Sequence, residues 1–475
     1  MQSKFKTIEK DQLFLLPPTI GDFIPEGHLA RVVSEIVDTF DTVKIEERYS
    51  YQGQKSYHPK LLIKLWIYGY ATGALSGRKI ATKCETDTAW MYLAGMHRPD
   101  FRTINDFRKD NLKSFEGYFI AVIKLCRELG MANVGTIALD GTKIRANAST
   151  RKMMDKDMYI QWLGKVEDEL TRLTKEADRI NESEDKALKD QRGDELPKEI
   201  RKKEVLRKKI QEAIEELKNR DGGRANLTDV DVRLIKSAGQ IKPNYNCQGA
   251  VTEDGILVGA YVSTNASDKE QLMPLITQVE ENTGQRVETV LADSGYSSYA
   301  NYEWLEDQKK TAYIPDQEHE NRDKLKEEPY DKSNFIYSPE KDKYVCPAGK
   351  DLIFSGIYLS RIRKQKARVY KGTQCSACQV KTDCTRAVAR QLYQDVREPL
   401  REKVRKLLDS PQGKHIYKQR MTMIEPIWGN IKFNKLITMF HLRGLNKVNG
   451  EWMLIALASN IQKLMAKREK LKLTT

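Results

Sequence analysis

Three acidic residues stand at positions where a carboxylate suggests chemistry rather than solubility. Asp140 follows the apolar, partly β-branched run 134–139, and Asp293 follows the similar run 290–292, so both extend segments with the composition of buried strands. A buried carboxylate is costly unless it binds a metal ion or pairs with a cation. Asp140-Gly141 alone is equally typical of a hairpin turn. The repeated pattern and a third carboxylate, Glu425, favour a site that holds two divalent cations through oxygen ligands.

The elements that must position these carboxylates can be predicted in part. Asp140 and Asp293 are expected at the ends of adjacent strands. Pro426 follows Glu425 directly, and the residue before a proline is disfavoured in the α conformation. We therefore expect Glu425 at a kink or at a fresh helix start rather than in mid-helix. Lys432 lies seven residues after Glu425, a spacing that would place both on one face only if the helix were continuous.

Four other residues have the chemistry of a second kind of metal site. Cys346, Cys375, Cys378 and Cys384 follow the spacing Cys-x28-Cys-x2-Cys-x5-Cys, and four thiolates can close a tetrahedral structural zinc site. The alternative is that these thiols bind nothing. The scattered Cys84, Cys126 and Cys247 are predicted to be core residues.

A basic stretch separates the first two of these cysteines. Residues 341–390 carry a net charge of +9, much of the +14 of the whole chain. Such a loop suits contact with a phosphate backbone, and the alternative is a solvated surface. The cations predicted to contact DNA in this loop are Arg361, Arg363, Lys364, Lys366 and Arg368.

Composition limits the class of protein. The chain has 475 residues, 40% of them hydrophobic, and a sequence pI of about 9.1. This basic excess indicates a polyanionic partner, with nucleic acid the first choice, although charge that only aids solubility is the simpler alternative. The start of the chain lacks an apolar signal core, and no apolar run is long enough to span a bilayer. The odd, uneven set of seven cysteines does not suggest a disulfide framework, so we expect a cytoplasmic protein that does not contact membranes.

The chain divides into four predicted regions. Residues 1–132 are expected to form a helical N-terminal DNA-binding domain. Residues 133–316 alternate strands and helices, which predicts an α/β mixed sheet flanked by helices. Residues 317–390 form a small, basic, cysteine-rich insertion, and residues 391–475 are expected to be helical and to carry Glu425.

A helical hairpin is predicted inside the second region, at 150–225. Apolar residues from Tyr159 to Ile180 are spaced 4-3-4-3-4-3, and a shorter seam runs from Leu206 to Leu217. The simplest structure is two antiparallel helices. This arm could act as a structural strut, or it could serve dimerisation or DNA clamping.

Six segments of the chain carry motifs of one known family: residues 58–108, 139–149, 245–248, 292–296, 425–432 and 441–445. Through them, nearly the whole chain resembles the DDE transposases of bacterial insertion sequences, which have a ribonuclease-H-like catalytic domain. Residues 58–108 are similar to the N-terminal domain of that family, and 139–149, 292–296 and 425–432 to its three catalytic motifs. Residues 245–248 resemble the strand after the first motif, and 441–445 the segment after the third. Two departures from the family pattern occur: four residues separate Arg420 from Glu425 where three are common, and Trp428 stands where Phe is common.

The resemblance implies a mechanism and a set of partners. Asp140, Asp293 and Glu425 would bind two Mg²⁺, for which Mn²⁺ can substitute, and would catalyse cleavage at terminal inverted repeats and strand transfer into target DNA. Tyr417, Arg420 and Lys432 would contact phosphates. The expected partners are double-stranded DNA, both transposon ends and target, and a second copy of the chain in a homodimer. A ribonuclease-H-like nuclease without strand transfer, and a domesticated DNA-binding protein, are the competing hypotheses.

Overall fold

The computed structural model describes residues 18–49, 55–182, 196–220, 223–237, 239–320, 327–338, 340–360 and 365–474. Within these ranges the protein is mixed α/β with a helical N-terminal region. The helices are α1 (Leu29–Asp38), α2 (Val43–Glu46), α3 (Pro59–Thr72), α4 (Gly77–Thr86), α5 (Thr88–Leu93), α6 (Phe101–Asp110), α7 (Leu112–Glu128), α8 (Lys156–Glu182), α9 (Leu196–Asn219), α10 (Leu272–Thr283), α11 (Tyr299–Asp307), α12 (Gln317–Glu320), α13 (Lys381–Cys384), α14 (Glu398–Asp409), α15 (Pro411–Gly429) and α16 (Leu445–Thr474).

Shorter turns and thirteen strands complete the described part of the chain. The 3₁₀ turns are Ile20–Phe23, Thr150–Lys152, Ser294–Tyr296 and Lys332–Asn334, and Asn430–Asn434 is π-helical. The strands are β1 (Thr136–Arg145), β2 (Met153–Met154), β3 (Ala225–Asn226), β4 (Arg233–Ser237), β5 (Gln240–Thr252), β6 (Leu257–Ser263), β7 (Thr289–Leu291), β8 (Thr311–Tyr313), β9 (Ile336–Ser338), β10 (Lys343–Val345), β11 (Asp351–Ser360), β12 (Gln365–Gly372) and β13 (Gln391–Asp395).

The chain folds into two compact units. Of the described residues, the first unit contains those up to Leu129, Gly429–Leu442 and those from Asn446 onward, and the second contains those from Gly130 to Trp428 and Arg443–Leu445. In the first unit, the fully buried Glu451 of α16 accepts a hydrogen bond from Tyr70 Oη at 2.7 Å. Arg108 in turn donates to Tyr70 Oη at 2.6 Å, so a buried polar network joins α3, α6 and α16.

A six-stranded sheet forms the centre of the second unit within its described residues. Its strand order is β4-β5-β1-β7-β8, and β6 also pairs with β5. The pairs β1/β5, β4/β5 and β5/β6 are antiparallel, whereas β1/β7 and β7/β8 are parallel. β1 is therefore the central strand at which antiparallel pairing changes to parallel pairing. This confirms the predicted mixed sheet.

The predicted helical hairpin corresponds to α8 and α9, although residues 183–195 between them, and the side chain of Ile180, lie outside the described residues. Lys203 Nζ of α9 contacts Glu169 of α8 at 2.6 Å, and Tyr159 Oη near the start of α8 donates to Ala225 O, just after α9. These contacts make the two helices antiparallel. Their shared core contains Tyr159, Val166, Leu170, Ile210, Ala213, Ile214, Leu217 and Ala225.

A second sheet occupies the cysteine-rich part of the chain, in the order β13-β12-β11-β10-β9. Its last strand, β13, begins at Gln391, so the prediction that 391–475 is wholly helical was wrong at its start. The alternating buried and exposed pattern of Leu392 and Tyr393 explains the difference, because it lets β13 pair antiparallel with β12.

Among the described residues, no helix is both long and apolar enough to cross a membrane.

Candidate active site

Asp140 lies in the middle of β1 rather than at its end, which corrects the sequence prediction. β1 continues to Arg145 because β5 pairs with it along its whole second half, with Asp140 opposite Gly249. Asp293 follows the neighbouring parallel strand β7 by two residues, and its Oδ1 accepts a hydrogen bond from Gly295 N at 2.9 Å. The two carboxylates thus come from adjacent strands, as predicted, and both are partly buried.

The indole of Trp428 connects α15 to this part of the sheet. Trp428 Nε1 donates to Asp140 Oδ2 at 2.9 Å, and Gly141 N donates to Asp140 Oδ1, also at 2.9 Å. The ring can approach because Gly249 has no side chain: a Cβ there would come within 2.5 Å of Trp428 Cη2. Each carboxylate oxygen of Asp140 therefore has one donor and keeps a further lone pair for another ligand.

The two aspartates share an environment that disfavours negative charge. Burial, followed by the charge of Asp293, raises the pKa of Asp140 to about 6, although Arg420 and the Trp428 hydrogen bond oppose the shift. Burial also raises the pKa of Asp293, with smaller contributions from Asp268 and Glu320. Partial burial of like charges is the arrangement in which a bound cation gives the largest electrostatic gain.

Arg420 is the cation whose charge acts on both Asp140 and Asp293. It lowers the pKa of both aspartates, and it hydrogen-bonds to Tyr417, one turn earlier in α15. Burial raises the pKa of the Tyr417 hydroxyl, which stays protonated and able to donate. The structure therefore brings Tyr417, Arg420 and Trp428 of one helix to the acidic pair.

Glu425 lies on the same helix, and its position corrects the prediction made from Pro426. α15 runs unbroken from Pro411 to Gly429, so Glu425 is in mid-helix and its side chain is exposed. Burial of apolar side chains on both sides of Pro426 stabilises this helix segment by more than the backbone hydrogen bond that proline removes. The buried residues are Met423, Ile424, Ile427 and Trp428. The irregularity appears four residues later, as the π-helical segment.

The three predicted metal ligands, Asp140, Asp293 and Glu425, do not form a compact cluster in the structure. Within the described ranges, no group of three or more histidine, cysteine or acidic side chains lies close enough together to hold a metal ion. The carboxylates of Asp140 and Asp293 interact electrostatically, whereas Glu425 is one helical turn from Trp428 and remains exposed.

Sequence reasoning missed a fourth carboxylate, Asp268. It accepts hydrogen bonds from Asn246 Nδ2 at 2.6 Å and Gln248 Nε2 at 2.7 Å, and Lys143 Nζ lies 3.2 Å from its Oδ1. A Cβ at Gly141 would come within 2.6 Å of Asp268 Oδ1. Lys143 and Asn246 oppose each other in the register of β1 and β5, so only the strand pairing could have predicted this cluster.

The other cations predicted to bind DNA are spread over the chain. Lys432 lies in the π-helical segment of the first unit. Lys366 is exposed on β12, whereas Arg368 on the same strand contacts Asp342 and donates to Tyr370 Oη at 3.0 Å. The remaining three, Arg361, Arg363 and Lys364, lie outside the described residues.

The seven cysteines fall into two groups, and all are free thiols. Cys84, Cys126 and Cys247 are buried, as predicted for core residues. The other four, Cys346, Cys375, Cys378 and Cys384, are partly buried and line one small cavity beside the second sheet.

Family models match three successive parts of the chain. Residues 18–110 match a model described as Transposase domain (DUF772), residues 221–344 match one described as Transposase DDE domain, and residues 345–465 match a second model with that description. The chain belongs to the DDE transposases of insertion sequences. Comparison with curated proteins found no match, and comparison with solved structures found none. Asp293 and Glu425 lie within the matched ranges, whereas Asp140 lies in the unmatched interval between the first two.

The transposase is accordingly a DNA transposase, a metal-dependent enzyme, and enzymes of this kind generally use divalent ions such as Mg²⁺. The acidic pair fits such an ion by its chemistry. Carboxylate oxygens are the ligands that Mg²⁺ prefers. A divalent cation beside Asp140 and Asp293 would also remove the repulsion and the burial cost that raise the pKa of Asp140.

Proposed function

We propose that this transposase binds the terminal inverted repeats of an insertion sequence, cleaves DNA at its ends and joins the freed 3′-hydroxyl to target DNA. The observation that carries the proposal is the meeting of Asp140 and Asp293 with Arg420 and Trp428, which lie in the same helix as Glu425. The order of antiparallel strands β6, β5 and β1 followed by parallel β7 and β8 supports a ribonuclease-H-like catalytic domain.

In this proposal, Asp140, Asp293 and Glu425 hold two Mg²⁺ ions, for which Mn²⁺ can substitute. When bound, the ions supply activation of the attacking oxygen and stabilisation of the leaving oxygen. Asp140, with a pKa of about 6, is mostly ionised at neutral pH and so available as a ligand. The Trp428 N–H fixes the orientation of its carboxylate.

In the same proposal, Arg420, Tyr417, Lys432 and the cations of the basic insertion bind the DNA backbone. Arg420 lies within electrostatic reach of both aspartates, so its guanidinium can bind a phosphate oxygen beside the scissile bond while Tyr417 holds it in place. We assign Lys432 to a DNA phosphate as well. We also assign to duplex DNA the five cations of the basic insertion, which are Arg361, Arg363, Lys364, Lys366 and Arg368.

The remaining regions are assigned by their composition and elements. Residues 1–132 form the DNA-binding domain, 133–316 the first part of the catalytic domain, 317–390 the basic insertion and 391–475 the part that carries Glu425. The α8–α9 hairpin acts as a structural strut, serves dimerisation or clamps DNA. Two chains act together when two transposon ends are paired.

Incubation of the purified protein with a labelled inverted-repeat duplex, Mg²⁺ and a target plasmid tests the proposal. Products in which the labelled end is covalently joined to plasmid are expected. Nicked duplex without joining would indicate a nuclease, and a mobility shift without cleavage would indicate a DNA-binding protein that has lost catalysis. Glu425→Gln serves as the matched control, because it should bind the duplex and yield neither product.

A further inference from the structure

Four cysteines from three separate segments surround one cavity of about 30 Å³ beside the second sheet. Cys346 follows β10 directly, Cys375 and Cys378 lie in the turn after β12, and Cys384 ends the short helix α13. The fold has therefore gathered thiols that are up to 38 residues apart in sequence.

Two of these sulfur atoms already accept backbone hydrogen bonds. Lys350 N donates to Cys346 Sγ at 3.3 Å, and Arg390 N donates to Cys375 Sγ at 3.4 Å. The turn 346–350 is closed by Cys346 N to Lys350 O at 2.8 Å, with Gly349 at a φ of +74°. Sulfur accepts such bonds weakly as a neutral thiol and strongly as a thiolate, which is the form that binds a metal.

The second sheet, which lies beside this cavity, has a small hydrophobic core. In the described part of the chain, the core of this sheet contains only five buried residues, with Cys346 and Cys384 packed against its edge. These residues are Phe335, Tyr344, Leu352, Tyr370 and Leu392. A core of this size offsets little of the entropy cost of ordering five strands, and small folds of this kind are commonly stabilised by a structural metal.

A positive group stands next to the four thiols. The Arg390 guanidinium donates to Cys384 O and to Tyr330 O, both at 3.1 Å. Its Nε is buried and has no hydrogen-bond partner in the described structure. Four thiolates around one divalent cation carry a net charge of −2, which a neighbouring guanidinium would partly neutralise.

We propose that Cys346, Cys375, Cys378 and Cys384 bind one Zn²⁺ ion in a closed, tetrahedral structural site. The thiols line the cavity without lying at ligand spacing in the described structure, so binding turns their side chains inward and releases their protons. Four sulfur ligands leave no open position, which makes the site structural and separate in its chemistry from the carboxylates that would hold Mg²⁺. The bound ion fixes the two turns that connect β10 to β11 and β12 to β13.

Elemental analysis of the full-length protein, purified without chelator, tests this inference. About one zinc per chain is expected, and Cys378→Ser should lower the zinc content several-fold. Cys84→Ala and Cys126→Ala are the matched controls, because these buried cysteines lie in α4 and α7 and should leave the zinc content unchanged. Less than half an equivalent of zinc in the wild-type protein, iron in its place, or full zinc content in Cys378→Ser would overturn the proposal.

A second measurement on the wild-type protein does not depend on whether a variant folds. A mercurial reagent should modify the four thiols and release one equivalent of zinc to a chromogenic chelator. Replacement of zinc by Co²⁺ should give the strong visible absorption of tetrahedral sulfur ligation. Rapid reaction of all four thiols without zinc release, or a disulfide among them, would contradict the site. Neither readout requires transposase activity, so this inference stands or fails apart from the proposed function.

Discussion

At the residue scale, two glycines determine how closely other groups approach the strand that carries Asp140. Gly249, opposite Asp140 in register, leaves room for the Trp428 indole. Gly141 leaves room on the other face of β1 for Asp268, which is held by Lys143 and two amide side chains. Both positions require glycine for close approach, because a Cβ at either would fall within 2.6 Å of a neighbouring atom.

Trp428→Phe should change the pH dependence of cleavage while preserving the fold. The substitution keeps an aromatic ring over Gly249 but removes the N–H that donates to Asp140 Oδ2. Because that donor favours the ionised carboxylate, its loss should raise the pKa of Asp140 further above its ordinary value. The acidic limb of the rate profile should move to higher pH by roughly one unit. Trp162→Phe in α8 is the control, and superimposable profiles for the Trp428→Phe variant and wild type would refute the role of this hydrogen bond.

The sequence predicted that Asp140 and Asp293 lie close together, but it did not predict which side chains surround them. An apolar run followed by aspartate occurs twice, and this local pattern predicted that one aspartate lies in or just after each of two adjacent strands, as Asp140 in β1 and Asp293 after β7 do. The Trp428 contact spans 288 residues, and the Asp268 cluster depends on the register between β1 and β5. Neither the register nor such a distant contact can be read from periodicity, because both result from tertiary packing.

At the element scale, tertiary packing keeps the segment around Pro426 helical, although proline disfavours the α conformation of the residue before it. Proline was expected to interrupt the helix before Glu425, yet α15 continues to Gly429 and is followed by the π-helical segment Asn430–Asn434. The α-helix therefore ends before Lys432, and the seven-residue spacing from Glu425 does not describe one continuous helix face. Wide helical turns of this kind are often found at functional sites.

Lys435, just after the π-helical segment, is a buried cation whose cost should be visible in stability. It is 3% exposed, and its Nζ donates to Ser459 Oγ at 3.0 Å. Burial lowers the pKa of this lysine from 10.5 to about 7. Below pH 7 the folded protein carries the full cost of the buried charge. Between pH 7 and 10.5 the folded lysine is neutral while the unfolded one stays protonated, so stability rises with pH.

Lys435→Met should consequently raise the free energy of unfolding most at pH 6–7. The difference from wild type should shrink by roughly 2 kcal/mol between pH 7 and pH 9. Urea unfolding at a series of pH values measures this difference, and Lys447→Met, at an exposed position of α16, is the control with a constant difference. A Lys435→Met effect that does not vary with pH would show that this lysine does not carry a buried charge.

At the scale of the whole molecule, positive charge is concentrated in the region of the second sheet. Residues 341–390 contribute a net +9 to a chain of +14. Composition alone predicted a polyanionic partner, and the family models now identify a DNA transposase. The sheet itself could not be predicted from composition, since β9, β10 and β13 are short and the core of the sheet contains few large apolar residues.

Neutralisation of two exposed lysines of β12, Lys366→Gln with Lys371→Gln, should reduce the salt dependence of DNA binding. If both contact phosphates, the slope of log affinity against log salt should become less negative by about 2. Fluorescence anisotropy across a salt series provides the slope. Lys403→Gln with Lys406→Gln, on α14, makes the same charge change elsewhere and should leave the slope nearly constant. Equal slopes for the β12 double variant and wild type would mean that these lysines only solvate the surface.

The most direct test of the catalytic assignment is the rate of Mg²⁺-dependent cleavage at an inverted-repeat end by Asp140→Asn, Asp293→Asn and Glu425→Gln. Each substitution keeps the size of the side chain and removes one negative charge from the proposed metal ligands. Each should lower the cleavage rate by about 10³-fold or more while the affinity for the end stays within about threefold. Glu281→Gln, an exposed carboxylate of α10, should cleave at the wild-type rate. Cleavage at near the wild-type rate by any one of the three variants would contradict the assignment of that residue and of the three-carboxylate site.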